Sequence, residues 1–405
     1  MNLAPIIHSD AVQRGNYALQ AVTRVRARMD SVDLLRGLVM VLMALDHVRD
    51  FFGASGMNPR DVADPALFLT RWITHFCAPV FIFLAGMSAY LYGTRGRSTG
   101  ETSRFLLTRG LWLILIELTI VRLGWRFSFN LDFFVFQVIW VIGASMVLLA
   151  ALVHLPRGVI AVIGLTLIAG HNLLDGIRAE QFGAAAWVWN FLHQPDVLRG
   201  AGGTIAYPLY SLIPWAGVMA AGYALGPVMQ LEADRRRRTL VWLGSAVTGG
   251  FLLLRGANVY GDPATWQLHG DWTATALSFI NCEKYPPSLL YLMMTLGPAL
   301  ILLAALEHAR GRLAEWVTVF GRVPFFYYVA HIYLIHAAAV LLALAMGADS
   351  AWLFGGFPMH KPASYGLPLP AIYCVWGAVV VALYPLCLWF ANRKRQGQQW
   401  WLSYL

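Results

Sequence analysis

Ten apolar runs, each close to the roughly 20 residues a helix needs to cross a hydrocarbon core, leave this chain few ways to fold. They fall near 32–52, 66–92, 104–123, 131–153, 157–174, 204–227, 239–254, 286–306, 324–346 and 369–391. A length of 405 residues would by itself allow two or three soluble domains. A soluble surface needs charge, however, and only 13% of these residues are charged against 58% hydrophobic, half the usual charged share. The expected fold is therefore all-α: a polytopic integral membrane protein of about ten transmembrane helices with the lipid bilayer as solvent. A single membrane domain over 31–392 would lie between tails at 1–30 and 393–405.

The basic residues give the expected orientation. With the N-terminus inside, the inner segments hold Arg14, Arg24, Arg26, Arg28, Arg95, Arg97, Arg104, Arg157, the run Arg235 to Arg238, Arg310, Arg312, Arg322, Arg393, Lys394 and Arg395. The outer segments hold only Arg60, Arg126, Arg178, Arg199, Arg255, Lys284 and Lys361. This asymmetry follows the positive-inside rule and predicts both termini in the cytoplasm. It also accounts for the net charge of +9, so no nucleic-acid partner is expected. The first thirty residues carry arginines without an apolar core among them, which does not fit a signal peptide; the run from Val32 is expected to remain as helix one. Cys77, Cys282, Cys374 and Cys387 show no CxxC spacing, so neither a disulfide framework nor a structural zinc is expected.

The most informative segment is that first helix, because ionisable groups inside a membrane are costly and usually functional. Arg36 and His47 are eleven residues apart, almost three helical turns, and share a face at roughly 16 Å separation. Asp33 and Asp50 continue the same stripe at spacings of three, while Asp46 points about a quarter-turn away. Snorkelling at the helix ends accounts for Asp33, Arg49 and Asp50. It does not account for His47.

Arg36, ten intervening residues and His47 resemble the signature of the integral-membrane acyltransferase-3 proteins. The wider pattern, Asp33-x-x-Arg36-Gly37 with Asp46-His47, resembles the bacterial relatives of heparan-α-glucosaminide N-acetyltransferase. Both groups belong to the transmembrane acyltransferase superfamily. Pro79-Val-Phe81-Ile-Phe83-Leu-Ala-Gly86-Met-Ser88 is similar to the second helix of the latter group. Lys284-Tyr285-Pro286-Pro287-Ser288-Leu289, followed by Leu296-Gly297-Pro298, is similar to a segment common among its bacterial members. Gly321-Arg322-x-x-Phe325-x-x-Tyr328-x-x-His331 is similar to its late-helix motif. In the lysosomal enzyme of that group an Asn stands at the position matching His47. Here His47 is in place and the next histidine is His75, which makes His75 the alternative catalytic histidine.

The resemblance implies a bacterial inner-membrane enzyme that moves an acyl group, with acetyl the expected one, from cytoplasmic acyl-CoA to a polar acceptor at the outer face. Acetyl-CoA would be a co-substrate, and the thioester needs no metal. His47 would be the base that takes the acceptor's proton, or would carry the acyl group itself. Asp50, one turn on, is the better placed of the two acids to orient it, and Asp46 would reach a neighbouring helix. Arg36 would hold the donor's anionic head. Arg322 precedes Pro324, which suits a first helical position, so a guanidinium would stand beside a helix N-terminus as a phosphate site. Tyr328 and His331 would line the donor site.

The loops near 175–203 and 255–285 carry Trp187, Trp189, His193, Trp266, His269, Asp271 and Trp272. They read either as interfacial belts or as a stacking platform for a glycan or other cell-envelope acceptor, to which Trp272 and Lys284 would contribute. His75 lies four before Pro79, which frees its carbonyl. Glu117, Asp132 and Gln137 are expected to pair with Arg109, Arg122 or Arg126, and His336 to make a helix-packing hydrogen bond. Two other classes stay open from sequence: a proton-coupled transporter relaying through Arg36, Asp46 and His47, and a haem protein ligated by His47, His75, His331 or His336.

Overall fold

Each apolar run becomes a helix, because in lipid only internally bonded backbone is tolerated. The computed structural model describes residues 31–355 and 361–397. The expected tail 1–30 and the end of the C-terminal tail, 398–405, lie outside the described residues. Helix α1 covers 31–52. It is followed by α2 (Pro65–Thr74), α3 (Cys77–Gly93), α4 (Thr99–Ile116), a π-helical stretch Glu117–Val121 and α5 (Arg122–Arg126). Then come α6 (Val138–Leu152), α7 (Arg157–Gly170), α8 (Ala186–Leu192), α9 (Leu212–Leu225) and α10 (Ala233–Ala257). The chain ends with α11 (Trp272–Ile280), α12 (Leu289–Leu306), α13 (Arg312–Arg322), α14 (Pro324–Ala345) and α15 (Leu369–Gln396).

Among the described residues, seven helical segments are long and apolar enough to cross a membrane, against the ten expected. The helices at 31–52 and Thr99–Ile116 are too charged for that criterion and Val138–Leu152 is too short. The chain is thus a helical integral membrane protein. Strand content is slight: β1 (Phe133–Val135), β2 (Leu198–Arg199) and β3 (Ile205–Tyr207) form a sheet in the order β1-β3-β2, with β1 parallel and β2 antiparallel to β3.

Local chemistry fixes the helix starts. Ser98 and Glu101 form a reciprocal capping box at α4. Ser288 caps α12 through the Tyr291 amide, and Pro324 opens α14 as expected. Burying lipid-like surface gives little drive to pair helices within a membrane, so close backbone approach has to supply it. Gly86 of α3 and Gly222 of α9 do this for each other's helix. A Cβ at Gly86 would lie 2.0 Å from the Met219 carbonyl oxygen, and one at Gly222 would lie 2.1 Å from that of Phe83.

Helix α1 runs through the middle of the bundle. Its Arg36 end meets Ser88 of α3 and Gly321 of α13. Its middle receives the Trp376 indole N–H from α15 on the Val41 carbonyl, at 2.8 Å. Its far end meets His331 of α14 and Trp125 of α5. Three expectations for polar residues resolve here. Asp132 pairs with Arg126 at 2.8 Å. Glu117 pairs with no arginine among the described residues; it accepts the Trp140 backbone N–H at 2.9 Å, serving a free amide at the start of α6. His336 bridges the Gly124 and Leu353 carbonyls, a packing role as expected.

Candidate active site

The centre of the site is a pair of histidines from opposite ends of the sequence. His47 Nδ1 lies 2.7 Å from His331 Nε2, with the rings stacked at 4.9 Å. His331 Nδ1 lies 2.9 Å from the Tyr327 carbonyl oxygen. A carbonyl only accepts, so His331 must carry its proton on Nδ1. In the neutral pair its Nε2 is then an acceptor, and His47 must donate from Nδ1. That leaves the His47 lone pair on Nε2, the tautomer a general base needs. Trp125 packs edge-on against His47 at 4.9 Å, and the Tyr328 ring stands 6.2 Å away.

The carboxylates do a different job from the one expected. Neither Asp46 nor Asp50 orients His47. Both ion-pair with Arg49, at 2.7 Å and 2.9 Å. Asp46 also accepts the Thr74 hydroxyl at 3.0 Å and sits 3.9 Å from the Lys284 ammonium. His331, expected at the donor site, is instead the group that orients His47.

Two cavities flank the pair. One, of about 500 Å³, is lined by Asp46, Arg49, Asp50, the segment 53–60, Arg71, Lys284, Tyr285 and Lys361. Five of those residues are basic (Arg49, Arg60, Arg71, Lys284 and Lys361) against two acids, so its field favours an anion. Lys284 is delivered by a braced loop. Buried Arg255 donates to the carbonyls of Ala264, Ser278, Phe279 and Asn281, and Asp262 takes the Ser288 hydroxyl at 2.6 Å.

The second cavity, of about 380 Å³, has a basic mouth and an apolar throat. Arg36, Arg95, Arg109, Arg322 and Lys394 line the former; Met40, Met43, Phe81 and Leu113 line the latter, with Tyr328 also in the wall. Arg36 donates to Asp33 at 2.9 Å, to Ser88 at 3.1 Å and to the Gly321 carbonyl at 3.3 Å. His47 lines neither cavity. Its sequence neighbour Asp46 lines the first, and Tyr328, whose ring stands 6.2 Å from His47, lines the second.

The structure thus gathers Asp46, His47, Asp50, Tyr328, His331 and Lys284 around one centre, with Arg36 and Arg322 in the cavity on its Tyr328 side. His75 is fully buried between α2 and α3, and neither of its ring nitrogens has a hydrogen-bond partner among the described residues. Its carbonyl, freed by Pro79, accepts the Tyr291 hydroxyl at 2.8 Å. Trp272 is 81% exposed and lines neither cavity. The Trp189 and Trp266 indole N–H groups donate to the carbonyls of Ile177 and Arg255.

Sequence reasoning missed Arg49, Arg71, Arg95, Arg109 and Lys361 as site residues. Arg49 carried a signal, since its spacing of three from Asp46 predicts the ion pair that forms. Lys361 lies far along the chain and reaches the site by donating to the Gly53 carbonyl at 2.8 Å. Burial pushes its ammonium down to about 8 from 10.5, with Asp50 pulling it up and Arg49 pushing it further down. The penalty on the charged form is complete below pH 8 and is relieved as pH rises toward 10.5, so the folded chain gains stability over that window. The apparent Tm of the wild type should therefore rise relative to Lys361→Met between pH 7 and pH 10. A Tm difference that does not change with pH contradicts this placement.

Residues 28–258 match the model of a family described as heparan-alpha-glucosaminide N-acetyltransferase, catalytic. That is more than half of the chain, and it includes Arg36, Asp46, His47 and Asp50. Lys284, Arg322, Tyr328 and His331 lie beyond the match and join the site through the fold alone. No curated protein matches the chain.

Proposed function

Because the chain belongs to the heparan-alpha-glucosaminide N-acetyltransferase catalytic family, a family of membrane acetyltransferases, we propose that it transfers an acetyl group from cytoplasmic acetyl-CoA, past His47, to an acceptor on the outer side. The observation that carries this reading is the His47–His331 pair beside two basic cavities, of which the one at Arg36 also has an apolar lining and the one at Asp46 is the more polar. The cavity lined by Arg36, Arg95, Arg109, Arg322 and Lys394 suits the phosphates of coenzyme A, since guanidinium groups hold phosphate through paired, charge-assisted hydrogen bonds. Its apolar throat suits the slender pantetheine arm. The cavity at Asp46, Lys284 and Lys361 would take the acceptor. Its excess of positive charge favours an acceptor with a carboxylate, sulfate or phosphate near the amine or hydroxyl to be acetylated.

The chemistry follows from the tautomer. His47 Nε2 removes the proton from the acceptor's N–H or O–H as that atom attacks the thioester carbonyl. The carbon–sulfur bond breaks and coenzyme A leaves as the thiolate. Positive charge on the His47 ring is shared with His331 through the 2.7 Å hydrogen bond. Asp46 and Asp50 neutralise Arg49 and Lys284 at the cavity floor and leave the imidazole pair free to cycle. No arrangement of these groups favours a transporter. The positive-inside pattern supports placing the Arg36 end in the cytoplasm.

Calorimetry with acetyl-CoA on the protein in detergent tests the donor site. Arg36→Ala should weaken binding about tenfold to a hundredfold, the loss of one or two charge-assisted hydrogen bonds. Arg238→Ala, on the exposed start of α10, should not change it. Unaltered affinity in Arg36→Ala would remove the donor from this cavity.

A further inference from the structure

A second polar cluster lies outside the acetyl-transfer site. His171 opens the turn that ends α7, Asp175 follows one turn later, and His193 caps the end of α8. Their ligand atoms lie within 4.8 Å of one another. His171 and His193 are 1% and 2% exposed. His193 Nε2 is 3.0 Å from Asp175 Oδ1, while neither nitrogen of His171 nor Nδ1 of His193 has a hydrogen-bond partner among the described residues. The Pro287 carbonyl near His171 lies outside hydrogen-bonding geometry. Leaving buried ring nitrogens unmatched costs about 1–3 kcal/mol each, so something other than packing holds two imidazoles edge to face at 5.6 Å around a carboxylate.

We propose that His171, Asp175 and His193 bind a zinc ion that ties the turn after α7 to the end of α8. Two imidazoles and one carboxylate form a donor set that suits zinc and disfavours magnesium or calcium, which take oxygen ligands almost exclusively. Tetrahedral zinc with bonds of about 2.0–2.1 Å places its ligand atoms about 3.4 Å apart. Rotation of three side chains on short turns supplies that contraction, and water completes the fourth position. The outer groups fit as well. Asn172 donates to Asp175 Oδ2 at 2.9 Å, fixing the carboxylate, the kind of second-layer hydrogen bond that metal ligands characteristically have. The Asn172 side-chain oxygen in turn accepts the Leu289 backbone N–H at 2.9 Å.

That last bond gives the ion a consequence. Leu289 directly follows the segment 284–288, whose Lys284 stands 3.9 Å from Asp46. Zinc at His171 would stiffen the loop that delivers Lys284 to the neighbouring cavity, without taking part in the chemistry at His47.

The test uses full-length protein purified with a tag that binds no metal, stripped with EDTA and titrated with zinc chloride. Wild type should take up one zinc per chain and gain apparent Tm, with magnesium chloride giving no shift. His171→Ala and His193→Gln should abolish both effects. Asp175→Asn, which keeps the size and a hydrogen-bonding oxygen, should weaken zinc at least tenfold, and His269→Ala, an exposed histidine elsewhere, should behave as wild type. If the histidine variants fail to fold, the wild-type titration and Asp175→Asn decide. Stripped wild type that binds no zinc, or variants that bind it as wild type does, overturn the proposal and leave water as the partner of these nitrogens.

Discussion

His47→Ala should lower acetyl transfer about a thousandfold, within the range that loss of a positioned base produces, while acetyl-CoA binding stays near that of the wild type. The separation follows from geometry. The groups proposed to hold the donor's phosphates surround Arg36, three helical turns and roughly 16 Å from His47 along α1. The His47 ring lines neither cavity, so its removal leaves the basic mouth untouched. His331→Ala should cost less, about tenfold to a hundredfold, because His47 keeps its ring but loses the acceptor that fixes its proton on Nδ1. His331→Gln, whose side-chain oxygen also accepts, should recover part of that loss. The measurement is transfer from radiolabelled acetyl-CoA to glucosamine 6-sulfate, which joins the acceptor type in the family's name to the anion that the basic cavity favours, by protein in proteoliposomes. Equal rates for wild type and His47→Ala would sink the base assignment. Loss of transfer together with loss of donor binding would point to collapse of the bundle rather than loss of a base.

Much of this site is visible in the sequence because α1 is a single helix with a fixed period. Arg36 and His47 share a face by arithmetic, and charges inside an apolar run carry their own significance. The segments at Ser88, Lys284 and Gly321-Arg322 also stand out as motifs, and the fold draws them to α1. What the sequence hides is pairing across helices. His331 is 284 residues from His47, and nothing in the period of α14 distinguishes a histidine that bonds another ring from one that bonds a carbonyl, as His336 does. Asp50 looks like the orienting acid because it lies one turn from His47. It goes instead to Arg49, since a guanidinium one residue away offers a stronger partner than a neutral ring. Trp272 stays open for a different reason: exposed tryptophan has the same composition whether it stacks on a ligand or meets the membrane interface. Two of the three expected spans that go uncounted, 31–52 and Thr99–Ile116, reflect the same tension, while Val138–Leu152 is simply short. Charge that serves the site, as in 31–52, lowers the hydropathy by which a span is recognised.

Gly321→Ala should damage the protein at both levels, folding and donor binding, because this position joins them. A Cβ there would lie 1.7 Å from the Asp33 carbonyl oxygen and 2.8 Å from the Gly37 nitrogen, where ordinary carbon–oxygen contacts are about 3.3 Å or longer. Gly37 has the reciprocal constraint, with a Cβ falling 2.1 Å from the Val317 carbonyl oxygen. Neither obstacle is a flexible side chain, so α13 must move away from α1. Overpacking of this kind costs about 3 kcal/mol. The displacement would also withdraw the Gly321 carbonyl from Arg36 and shift Arg322, the next residue, in the wall of the basic cavity. Apparent Tm should fall, and acetyl-CoA affinity should fall with it in the fraction that stays folded. Gly158→Ala, at a glycine whose Cβ would meet nothing within 4 Å, gives the comparison for an added methyl without crowding. Wild-type Tm and affinity in Gly321→Ala would mean that α1 and α13 do not approach this closely. A lowered Tm with unchanged affinity would keep the packing but free the donor site from it, leaving Arg36 held by Asp33 and Ser88 alone.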